Sequence, residues 1–168
     1  MQFKVPFSKL ESLRAKNVID AVSDAEKKRV GDVRIYDLML SKGEPILNGV
    51  YLFFSESGKC LYAGKNAAQK FVERIPWHFA VDEGAWMNHY LKRTREHKEL
   101  ETLTEAAYAA KEDQLLLISV EQRDLIKPLE KFFRLFAEPE YNSYSSSYSA
   151  RHQDVDLNLP LHEVLSQL

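Results

Sequence analysis

The sequence predicts an α/β chain, in finer terms α+β, built on a small antiparallel sheet of three strands flanked by helices. Three observations predict it. Two short apolar, aromatic runs at residues 50–54 and 60–64 are joined by Ser-Glu-Ser-Gly-Lys, the composition of a hairpin turn. A third run at residues 115–120 is continuously apolar, as a strand covered on both faces must be. Elsewhere apolar residues recur at the three-and-four spacing of amphipathic helices.

Taken in order, residues 1–46 read as an N-terminal helical extension. Ser8 to Glu11 and Ser23 to Glu26 have the Ser-x-x-Glu form of a capping box, and Ala15, Val18, Ile19 and Val22 fall at helical spacing. Gly43, Pro45 and Asn48 then punctuate the chain ahead of the main domain, 47–145. After the hairpin a helix is expected from about Ala67, broken or kinked at Pro76, whose ring removes an amide donor and clashes with the preceding turn. Residues 86–98 read as a further helix. Thr102 and Glu105 form a capping box before an Ala-rich helix, which leads to the third strand. Asp124 is placed to cap a last long helix, with Leu125, Leu129, Phe132 and Phe136 on one stripe and Pro128 in its first turn. The Ser- and Tyr-rich residues 143–149 read as a surface loop, and 146–168 as a C-terminal tail with a short element around residues 159–168.

Composition narrows the function. At 168 residues, 45% hydrophobic and 29% charged, the chain suits one soluble globular domain. It has no apolar run long enough to span a bilayer and no secretory signal pattern, so the expected location is the cytoplasm, with no membrane partner. The single Cys60 excludes an internal disulfide and a multi-thiolate zinc site. His78, His89 and His97 match no compact ligand spacing, and no glycine-rich phosphate loop is present, which argues against zinc, nucleotide hydrolysis and hydride transfer. The net charge of −2 is uninformative, but its distribution is uneven. Residues 59–98 carry eight basic against four acidic side chains, whereas residues 99–130 carry eight acidic ones. A basic middle segment suits contact with phosphates, and equally suits a solvated charged surface.

The residues with chemistry are ordered along the main domain. Gly49-Val50-Tyr51 and Tyr62-Ala63-Gly64 lie on the two hairpin strands, their tyrosines eleven positions apart. Lys65 follows, then Arg74, His78, Glu130 on the last long helix, and Asn142 in Glu-Pro-Glu-Tyr-Asn. This set, in this order, resembles the GIY-YIG nuclease superfamily over roughly residues 48–144. Helix geometry adds to the reading of Glu130, which falls about 120° from the centre of its helix's apolar stripe and hence at the rim of the core. A carboxylate there can meet a hydrated cation while its helix stays packed.

The resemblance implies a metal-dependent endonuclease that hydrolyses phosphodiester bonds in DNA, leaving a 5′-phosphate and a 3′-hydroxyl. Its site residues would be Tyr51, Tyr62, Arg74, His78, Glu130 and Asn142, with Glu130 as metal ligand for magnesium, or manganese in its place. Lys65, Gly64 and Lys70 would face the substrate. Tyr51 and Tyr62 would bond the attacking water or the phosphate, with His78 the competing candidate for general base; Arg74 would stabilise phosphate charge, and Asn142 would fix the tyrosines. Arg74 could instead pair with Glu73 or Asp82 on the surface. Two departures from the family pattern bear on this: Ala63 replaces a bulkier residue, and Pro76 interrupts the helix between Arg74 and His78. The alternatives from other classes are a non-catalytic nucleic-acid-binding module on the same fold, and a mainly helical interaction protein. Restriction, mobile-intron and repair enzymes share this catalytic core, and either a monomer or a homodimer could cut a duplex.

Overall fold

Along the hairpin, Val50, Leu52 and Phe54 alternate with Tyr51 and Phe53, and every one of them is buried, so both faces of this strand must be covered. The computed structural model describes residues 3–41, 44–45, 48–142 and 155–168; the stretch 143–149 expected as a loop lies outside them. In chain order the strands are β1 (Lys4–Pro6), β2 (Lys28–Arg29), β3 (Leu40–Ser41), β4 (Glu44–Pro45), β5 (Gly49–Phe54), β6 (Cys60–Asn66) and β7 (Gln114–Ser119). The α-helices are α1 (Ala15–Asp24), α2 (Ile35–Met39), α3 (Phe71–Arg74), α4 (His89–His97), α5 (Leu103–Ala109), α6 (Ile126–Phe136) and α7 (Leu161–Ser166).

The protein is of the mixed α/β class, but its sheet is wider than expected. β6, β5 and β7 pair antiparallel in that order, and the far edge of β7 is then shared by β1, which runs parallel to it, and β2, which runs antiparallel. The expectation of three antiparallel strands therefore gives way to a mixed sheet of five described strands. Its two faces bury different partners. Val50, Leu52, Phe54, Leu116 and Ile118 pack against α1, α6 and α7. Tyr51, Phe53, Leu115 and Leu117 pack against α3, α4, α5 and Tyr141. A bulge at Leu61, where Phe53 pairs Tyr62 and Phe54 pairs Cys60, sends Leu61 to the second face and keeps Cys60 on the first.

The N-terminal segment is not helical throughout. Ala15, Val18 and Val22 do line the buried stripe of α1, but β1 and β2 are edge strands of the main sheet. Neither proposed capping box forms there: Ser8 lies inside a 3-10 turn, and Ser23 sits in the last turn of α1 rather than at a start. α7, in the expected tail, buries Leu161, Val164 and Leu165 in the core cluster that contains α1. Farther on, the Thr102 and Glu105 side chains cap α5 reciprocally as expected. Asp124 does not cap α6, because residues 123–125 form a 3-10 turn ahead of it.

Candidate active site at the open end of an edge strand

Tyr51 and Gly64 face each other across the hairpin. A Cβ on Gly64 would lie 2.4–2.5 Å from Tyr51 Cζ, Cε2 and Oη, so the tyrosine ring lies across the glycine where a side chain would otherwise stand. The ring is wholly buried among Phe53, Phe71 and His78, and its hydroxyl lies 2.6 Å from His78 Nε2. Tyr62 stacks on Tyr51 at 6.3 Å and meets the His78 ring at 5.1 Å. Pro76 does end α3, but it serves as the first residue of a 3-10 turn, Pro76–Phe79, that carries His78 inward to Tyr51. Arg74 and His78 thus belong to one site despite the broken helix.

β6 is an edge strand, and residues 140–142 cover the first part of its edge. Tyr141 N donates to Leu61 O at 2.7 Å. Asn142 receives Ala63 N on Oδ1 at 2.8 Å and donates from Nδ2 to Ala63 O at 3.0 Å, next to Tyr62 in the chain. Beyond Ala63 the edge opens into a cleft of about 500 Å³ lined by Tyr62, Gly64, Lys65, Arg74, Trp86 and Glu130, among others. Arg74 arrives from α3 on one face of the sheet and Glu130 from α6 on the other. They share a cleft because β6 is the edge of the sheet among the described strands.

The far wall is held by residues that sequence reasoning passed over. Asn48 Nδ2 donates to Gln69 O at 2.8 Å and lies 3.1 Å from Asn66 O, while Asn66 accepts Gly49 N at 2.9 Å and donates to Gln69 O at 2.9 Å. These bonds hold residues 66–69 as a loop, which is why α3 begins at Phe71 and not near Ala67. Asn48, expected only to punctuate the chain, is buried immediately before β5. Trp86 was likewise read only as part of a helix.

Charge is less free than the sequence suggested. Lys65 Nζ sits 2.5 Å from Glu130 Oε2, and Arg134 Nη1 lies 3.6 Å from Oε1, so the carboxylate, its side chain only 11% exposed, is held by two cations. Lys59, Arg93, Arg95 and Lys98 also pair with carboxylates. Arg74 does not take the surface pairing considered for it: Glu73 accepts Lys70 N and Asp82 accepts Gly84 N. Among the described residues, Arg74 Nη1 is buried with no hydrogen-bond partner, although the Arg74 side chain lies close enough to Tyr51 to favour its phenolate. Lys70 lies exposed just before α3, outside the residues that line the cleft. No group of three or more His, Cys, Asp or Glu residues is disposed to hold a metal among the described residues.

Burial sets the protonation states. It raises the pKa of Tyr51, with the charge of Arg74 opposing, and raises that of Tyr62 in the same way. His78 is pushed down to about 3, first by burial and then by the positive charge of Arg74. A neutral imidazole and a protonated phenol thus face each other, and neither Tyr51 nor His78 reaches solvent. Tyr51 and His78 are thus buried behind Tyr62, which is the tyrosine that lines the cleft.

The depressed pKa has a stability consequence. As pH falls below the ordinary value of 6.5 the unfolded chain takes up a proton that folded His78 refuses until about 3, so stability declines through that window. The slope contributed is up to about 1.4 kcal/mol per pH unit. Urea unfolding of native protein and of His78→Gln at neutral and mildly acidic pH should show the native curve losing stability faster on acidification. Parallel curves would refute this assignment.

No family model, curated protein or solved structure matches the chain.

Proposed function

We propose that the cleft at the open end of β6 is the active site of a metal-dependent endonuclease of the GIY-YIG kind, which hydrolyses phosphodiester bonds in DNA. The observation that carries this reading is the pairing of Tyr51 with Gly64 in a hairpin whose edge brings Arg74 and Glu130 to one cleft from opposite faces of the sheet. Two tyrosines, an arginine, a glutamate and an edge-capping asparagine are what the resemblance requires, and they are gathered within one neighbourhood.

The donor set suits a hydrated magnesium ion, since Glu130 is the carboxylate among the cleft-lining residues and magnesium is usually held by one or two carboxylates, with water and phosphate completing its shell. Manganese accepts the same oxygen ligands. Bound there, the ion would polarise the phosphoryl oxygens and acidify a water. Glu130 would hold it at the rim. Arg74, with its free buried donor, would bind a non-bridging oxygen and stabilise the charge that grows there. The Tyr62 hydroxyl would orient the attacking water, while Tyr51 and His78 position Tyr62 and Arg74 from behind. Lys65 would exchange Glu130 for a substrate phosphate.

That exchange also defines the second reading. A carboxylate already neutralised by Lys65 and Arg134 suits a module that binds nucleic acid and does not cut it. Cleavage of supercoiled plasmid and of a branched-DNA panel with magnesium or manganese separates the two. The nuclease reading expects metal-dependent cutting that falls by about 10²–10³-fold in Glu130→Ala and in Arg74→Ala. Native protein that binds these DNAs and cuts none of them with either metal establishes the binding module.

A further inference from the structure

Trp86 is 76% exposed, the most exposed of the large apolar side chains among the described residues, yet it lines the cleft rather than standing on open surface. An indole left in water inside a concave site is an informative departure from burial. Its backbone is not loose. Asn88, itself wholly buried, donates from Nδ2 to Ala80 O at 2.8 Å and Asp82 O at 2.9 Å, and Lys92 Nζ donates to Ala85 O at 2.9 Å. Gly84 N closes the intervening turn onto Asp82 Oδ1 at 2.9 Å, and Met87 beside the indole is buried. The ring is therefore presented from a fixed turn, so little ordering entropy remains to oppose a ligand that stacks on it.

Lys65 and Arg74 line the same cleft as Trp86 and Met87. Cationic side chains and an exposed aromatic face in one cleft match a nucleotide, with phosphate on the former and base on the latter. We infer that Trp86 is a stacking platform for an unpaired nucleobase, so that the substrate class is DNA with a single-stranded or displaced nucleotide beside the scissile phosphate. A base inside a continuous duplex has both faces covered by its neighbours and cannot offer one to the indole. The cleft's volume of about 500 Å³ also lies in the range that admits a small ligand rather than a double helix. The inference rests on the nuclease reading for its scissile phosphate, and the stacking contact is testable without cleavage.

The test is fluorescence anisotropy in EDTA with three labelled probes of one sequence: a continuous duplex, the same duplex with one unpaired nucleotide, and the single strand. Native protein is compared with Trp86→Ala, Trp86→Phe and Trp77→Ala, the last altering an exposed tryptophan outside the cleft lining. Trp86→Ala should weaken binding to the unpaired and single-stranded probes roughly 5- to 150-fold, the effect of losing one base–aromatic stack, and leave the duplex unchanged. Trp86→Phe should recover most of the loss, and Trp77→Ala should have no effect. Because the side chain is exposed, these variants should fold normally, which circular dichroism checks. Equal loss on all three probes, or no loss on any, overturns the stacking role. Selective binding without cleavage removes the nuclease and retains the platform, whereas cleavage indifferent to Trp86 removes the platform and retains the nuclease.

Discussion

A Gly49→Ala substitution should cost the protein more than about 4 kcal/mol, a large part of the roughly 5–15 kcal/mol by which a domain is stable. Gly49 opens β5 at φ +157°, and a Cβ there would stand 1.9 Å from Ile118 O and 3.0 Å from Ile118 C. Both atoms belong to backbone, and to the neighbouring strand, since Gly49 pairs with Ser119 and Val50 with Ile118. A flexible side chain could turn away, but this carbonyl moves only if β5 and β7 separate at their end. Asn66 Oδ1 holds the Gly49 amide from the other side, which closes that route as well. Urea or thermal unfolding checks the expectation, and a variant within about 1 kcal/mol of native would refute it.

Gly64→Ala should cost about 3 kcal/mol, near the upper end for overpacking, and should abolish any activity of the cleft. Here the obstacle is the Tyr51 ring at 2.4–2.5 Å. It has no free volume to enter, being enclosed by Phe53 at 5.9 Å, Phe71 at 6.4 Å and His78 at 5.4 Å. Any shift that relieves the clash also pulls the hydroxyl from His78 and disturbs the Tyr62 stack. A double-mutant cycle isolates the cause. In a Tyr51→Val background the added cost of Gly64→Ala should largely disappear; if it persists undiminished, the ring is not what requires the glycine.

The hairpin and the third strand were legible in the sequence because each is written in neighbouring residues, as turn composition or an unbroken apolar run. Of the stripe expected on α6, Leu129 and Phe132 are fully buried, whereas Leu125 and Phe136 are partly buried and Ile126 and Phe133 take the inner places. Glu130 at the core's rim followed from the same helix geometry. β1 was not legible. Its three residues, Lys-Val-Pro, are too few to show alternation, and the partner of Lys4 is Leu117, more than a hundred residues away. β2 is a strand for the same non-local reason. The seclusion of Tyr51 could have been read from register, since a hairpin that sets Tyr51 opposite Gly64 leaves space only for the ring. The pairing of Lys65 with Glu130 could not, because it joins opposite ends of the main domain and depends on how α6 lies on the sheet.

The covering of β6 by residues 140–142 has a consequence for the molecule's behaviour among its own copies. An uncovered edge presents a row of idle amides and carbonyls on which a foreign strand can add, the first step toward fibres. Here Cys60, Leu61 and Ala63 have outward groups already bonded to Glu140, Tyr141 and Asn142. Among the described residues, what stays uncovered is the short stub from Gly64 onward, and Asn48 reaches the Asn66 carbonyl at its end. An intruding strand finds too few consecutive partners to register against, so the sheet can leave its edge open to a ligand without offering it to a neighbour.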